Sequence, residues 1–159
     1  MASNRRPYFV KEPLVSISST GGANFIGPSS SSGIVNQANT AFDGTGSLGT
    51  TLIEIATVPA EGAVLKQIVA THLGTNIATV VRIFINNGQS VASGSNNRLF
   101  NEFTMPANTA SQTTASTRYV DDYINQDKTL PGGTKIYASS GQTLASGIQL
   151  VAFLGGLAG

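Results

Sequence analysis

One histidine, His72, and no cysteine stand in a chain of 159 residues, so proton transfer and thiolate chemistry have almost nothing to work with. Imidazole is the side chain that titrates nearest neutrality, and a serine triad needs one as its base. His72 is the sole candidate. It lies in a run, Val69-Ala70-Thr71-His72-Leu73, that reads as a strand, and no Gly-x-Ser-x-Gly turn occurs in the chain. The pattern favours an exposed or core-edge imidazole over a general base. Without cysteine, disulfides, thiolate nucleophiles and cysteine-ligated zinc or iron–sulfur sites are excluded.

The acidic residues are Glu12, Asp43, Glu54, Glu61, Glu102, Asp121, Asp122 and Asp127, and the only close set is Asp121-Asp122 with Asp127. On a strand, Asp121 and Asp122 point to opposite faces and cannot jointly hold one ion or substrate. Glu54 and Glu102, on separate strands, could in principle form a glycosidase pair. An aromatic content of 7% with no tryptophan leaves few platforms on which a sugar could stack. Gly44-Thr45-Gly46 and Gly132-Gly133 lack the Lys-Ser/Thr and helix of a phosphate loop, so they read as turns. Arg82, Arg98 and Arg118 each interrupt an apolar run. Singly they read as solvent-face charges; opposite Glu54, Glu102 or Asp121 they become cross-strand or intersubunit pairs. The expectation is therefore a protein that is not an enzyme and uses no cofactor or metal.

Composition narrows the partners. Only 11% of residues are charged, the formal net charge is +1, and Ser, Thr, Asn and Gln make up a third of the chain. A field that weak does not gather nucleic acid or an anionic membrane, so neither is expected as a partner. No apolar run approaches the roughly 18 residues of a spanning helix. The basic N-terminus has no apolar stretch after it, which predicts no signal peptide. The C-terminal run from Val151 to Gly159 reads as a buried last strand with a tail.

The elements that must position these residues are strands. Residues 1–49 mix a basic aromatic start (Arg5, Arg6, Tyr8, Phe9, Lys11) with Gly/Ser-rich stretches, and are expected to form an extended N-terminal arm. Isolated apolar residues recur in it, among them Val10, Leu14, Val15, Ile17, Phe25, Ile26, Ile34, Val35 and Phe42, as anchors for a neighbour's surface. The alternative is a strand or two added to the same core, with Leu14 to Ser18 the best candidate. Residues 50–159 carry short β-branched runs and no 3.6-residue stripe, which predicts an all-β body. Strands are expected near 50–58, 63–74, 78–86, 97–105, 117–125, 134–139 and 147–154. An eighth would come from the arm or from a short piece near Thr129. The breaks carry turn residues, Pro59-Ala60-Glu61-Gly62, Asn87-Gly88 and Pro131-Gly132-Gly133 among them, with Pro then Gly suiting a type II turn. About eight antiparallel strands at this spacing fit a jelly roll or β-sandwich, with a closed up-and-down barrel as runner-up. The longer connections, roughly 87–96 and 106–116, are expected to cross between sheets and to carry interactions.

Three stretches add a resemblance: Val80-Val81-Arg82-Ile83-Phe84-Ile85, Leu99-Phe100-Asn101-Glu102 followed by Met105-Pro106, and Leu130 through Ser140 with its Pro131-Gly132-Gly133. Together they resemble the head decoration or cement proteins of tailed bacteriophages, over about residues 50–154. The resemblance implies a jelly-roll body, a homotrimer, the major capsid protein as partner and a place on the outside of the virion capsid. It assigns shell binding to the arm, through Arg5, Arg6, Tyr8, Phe9 and Lys11. A tail, baseplate or receptor-binding fibre component is the alternative.

Overall fold

The computed structural model describes residues 33–123, 126 and 128–156. Among the described residues nine strands are formed: β1 (Ile34–Val35), β2 (Ile53–Thr57), β3 (Ala63–His72), β4 (Thr79–Asn86), β5 (Asn97–Met105), β6 (Arg118–Asp122), β7 (Lys128–Leu130), β8 (Lys135–Ser140) and β9 (Ile148–Gly156). Both candidates for an eighth strand are therefore present, one from the arm and one at Thr129. The strands build two antiparallel sheets. One runs β1-β9-β3-β6 with β7 also on β3; the other runs β2-β8-β4-β5. With β7 set aside, this interleaving of eight strands is the jelly-roll order, in which the chain passes repeatedly between two facing sheets. The described strands form two separate sheets rather than one closed barrel.

Alternation along the strands makes the core. In β3 the inward residues Leu65, Ile68 and Ala70 are fully buried, and in β4 Val81 and Ile83 are. They meet Ile53, Ile55, Ile136, Ile148 and Leu154 between the sheets. Each such aliphatic side chain contributes roughly 1.5–3 kcal/mol by leaving water. A second, smaller cluster, Leu52, Phe84, Val91 and Tyr137, lies on the opposite face of the four-stranded sheet.

Two expectations change in detail and one holds. Connection 87–96 does not cross between sheets: it joins β4 to β5 in the same sheet and ends in a 3-10 turn, Gly94–Asn96, while Val91 tucks into the small cluster. Connection 106–117 does cross. In the turn after β7, Thr134 N donates to Pro131 O at 3.2 Å, and Gly133 takes φ +81°. Pro131 is thus the first residue of that turn rather than a central one.

Residues 33–49 lie on the body. Ile34 and Val35 pair with Gln149 and Ile148 of β9, and Val35 is buried in the protein's own core rather than held out for a neighbour. Ala38 then bridges Ser140 of β8, in the other sheet. The stretch is a strap that joins the two sheets. The Leu14 to Ser18 alternative, together with Ile124 and Asp127, falls outside the described residues.

Candidate functional site

His72 closes the end of β3 and is 2% exposed, so the expectation of an exposed or core-edge imidazole is corrected to a buried one. Its Nε2 donates to Pro106 O at 2.9 Å, and its Nδ1 accepts from Asn76 Nδ2 at 3.1 Å. Asn76 in turn donates to Gly147 O at 2.8 Å and accepts from the Ser146 and Gly147 amides. Both ring nitrogens are committed to holding three loops together. A buried polar network of this kind fixes loop geometry because any broken member leaves an unsatisfied group.

The carboxylates are dispersed. Glu54 sits on β2 and Glu102 on β5, the two edges of the four-stranded sheet, so three strand spacings, about 14 Å, separate their backbones. Glu54 pairs with Lys135 at 3.1 Å and accepts from Thr57 Oγ1. Asp121 accepts from Asn101 Nδ2 and from the Tyr123 hydroxyl, and burial together with that carboxylate pushes the Tyr123 pKa up. Asp121 and Asp122 do alternate, half-buried and exposed. Among the described residues, no three His, Asp or Glu side chains converge as metal ligands.

Arg82 departs furthest from its expected place. It is 8% exposed rather than a solvent-face charge. Register sets it opposite Glu102, whose Oε2 lies 3.5 Å from Nε, the cross-strand form of the pairing. Phe42 of the strap covers the guanidinium, with 4.1 Å from Cζ to the ring centroid. Nη1 donates to Asn39 O at 3.3 Å. Arg98 donates to the carbonyls of Ser95 and Asn97, and Arg118 is exposed.

The strap over this sheet is the most built feature of the surface. Asn39 N donates to Ser140 O at 2.7 Å, its Nδ2 to Thr45 O, and its Oδ1 accepts from Ala41 N. Further on, Asn97 Nδ2 donates to Gly44 O at 2.9 Å. Gly44 passes so close to the sheet that a Cβ there would lie 2.7 Å from Phe84 Cδ1. In the sequence, Phe42 and the glycines of 44–49 carried a signal of loose chain with isolated anchors. The Asn39 and Asn97 pegs carried none, because an asparagine that clamps a backbone looks like any polar residue until the fold is known.

On the opposite surface, the outward face of the five-stranded sheet, Val69 and Val151 are half-buried. Val120, Val69 and Val151 stand in register across β6, β3 and β9, with Val120 38% exposed. Arg5, Arg6, Tyr8, Phe9 and Lys11 lie outside the described residues, at the end of the stretch that leads into Gly33. The chain matches no protein-family model, no curated protein and no solved structure.

Proposed function

We propose that this protein is a cement or decoration component of a tailed-phage head, which binds the assembled shell from outside and stabilises it. The observation that carries the reading is the strap. An arm that grips a shell must transmit load to its body, and residues 33–49, which include β1, are stitched to both sheets. Residues 1–32, with Arg5, Arg6, Tyr8, Phe9 and Lys11, are then the shell-gripping part. A protein that binds only the assembled lattice stabilises it by mass action, and contact area matters more than reactive groups.

The row of Val120, Val69 and Val151 is assigned to contact between copies in a homotrimer. In this row Val120 is exposed and Val69 and Val151 are half-buried, which leaves apolar surface for a second copy to cover. A trimer at a three-fold lattice position multiplies weak arm contacts into avidity. The major capsid protein is the partner. Nucleic acid, membrane, cofactor and catalysis have no part in the role.

The strap also sets where the arm should be cut. A chain beginning at Gly33 keeps Val35, Asn39 and Gly44 in place, so it is expected to retain the thermal midpoint of the full chain within a few degrees. It should no longer sediment with capsids that lack the decoration protein. Full capsid binding by this truncated chain contradicts the arm assignment.

A further inference from the structure

Beside the strap, Ala78, Thr79, Val80, Arg82, Thr104, Gly141 and Gln142 enclose an open depression of about 320 Å³. Its one cation is the guanidinium of Arg82, more than nine-tenths buried. An arginine carries five N–H donors, and here a single hydrogen bond, Nη1 to Asn39 O, uses one of them. Nε is buried with no hydrogen bond, since Glu102 lies near it without the alignment one requires. Ser139, its partner across β8, likewise buries an unbonded Oγ. Buried polar atoms are nearly always satisfied, so two neighbouring orphans call for an explanation.

We infer that this notch is a binding site for a single carboxylate, carried on a short aliphatic stem such as an aspartate or glutamate side chain. The guanidinium lines the notch, and its Nη1, 3.6 Å from the Cβ position of Gly141, brings N–H donors of the kind that suit a carboxylate oxygen. Thr104 and Gln142, both exposed, add polar groups at the rim, and Ala78, Val80 and Gly141 offer apolar surface to the stem. Charge selects against a dianion: Glu102 already flanks the one cation, so a second full negative charge would meet repulsion. Gly141 keeps the notch open. A Cβ there would lie 3.6 Å from Arg82 Nη1 and 3.5 Å from Val80 O, ordinary contact distances, so an alanine fits the fold while occupying the space a ligand needs. The site stands independently of the shell assignment.

The test is an NMR titration of the full-length 15N-labelled chain with N-acetylglutamate methylamide, acetate and inorganic phosphate, followed at the Gly141 and Gln142 amides and Arg82 Nε–H. The expected result is saturable shifts with the two carboxylates, half-complete at roughly millimolar concentration. Phosphate should give no saturation in that range. Arg82→Gln should abolish the response, and Gly141→Ala, whose fold is expected to be intact, should weaken it about tenfold or more. Tighter binding of the blocked glutamate than of acetate assigns a protein side chain as the ligand; equal binding assigns a free carboxylic acid. No saturable shift with either carboxylate, unchanged binding by Gly141→Ala, or phosphate binding as tightly overturns the inference.

Discussion

At the scale of single residues, several ionisable groups among the described residues are held by partners within the fold, His72, Glu54, Asp121 and Arg82 among them. Tyr137 illustrates the consequence for stability. Its side chain is buried on the face of β8 near Glu54, and burial first, then that carboxylate, pushes its pKa from 10.0 up to about 12. In the unfolded chain the phenol loses its proton near pH 10, while the folded chain keeps it until about 12. Above pH 10 the unfolded state thus binds fewer protons, and stability falls as pH rises through that window. Urea midpoints measured from pH 9 to 12 should therefore decline, and less steeply in Tyr137→Phe, with Tyr123 contributing in the same direction. Identical slopes for the two proteins would contradict this account of Tyr137. The residue scale was also where sequence reading reached least. The burial of His72 was not legible, because it depends on Pro106, Asn76 and Gly147, which only the fold brings together. Arg82 looked like a surface charge because a strand pattern gives no hint that a distant Phe42 will lie over it.

At the scale of elements, the strands of the body were readable because each carries its own period-two record of burial, as β3 does over Ala63–His72. The strap was not readable as an element. Its fixed shape comes from pairing with β9, from contacts with β4, β8 and Asn97, and from the bonds Asn39 makes with Ala41 and Thr45, none of which leaves a periodic pattern in residues 33–49. Gly44 is the position at which that dependence is most exposed, with φ +73° and a path almost in contact with Phe84 and Asn97. Gly44→Ala combines a left-handed backbone with a collision, and should cost about 2–4 kcal/mol in chemical denaturation. Gly133→Ala, at φ +81° but with nothing within 4 Å of its Cβ position, should cost only about 1 kcal/mol. Equal costs would mean that the strap yields freely and does not anchor the arm.

At the scale of the whole molecule, the all-β two-sheet core follows from the sequence pattern, but the strand order and the role do not, since strand pairing is long-range and one fold serves many functions. The proposed role rests on an arm fastened through the strap, a valine row for contact between copies, and a surface with few charges. Each of these is a property of surfaces, which are shaped by partners absent from the sequence. The most direct test of the proposal is the number of copies of this chain per particle, relative to the major shell protein, by quantitative mass spectrometry of purified virions. The cement reading predicts a ratio near one or a simple lattice fraction of it. A handful of copies per particle, or none, would contradict it.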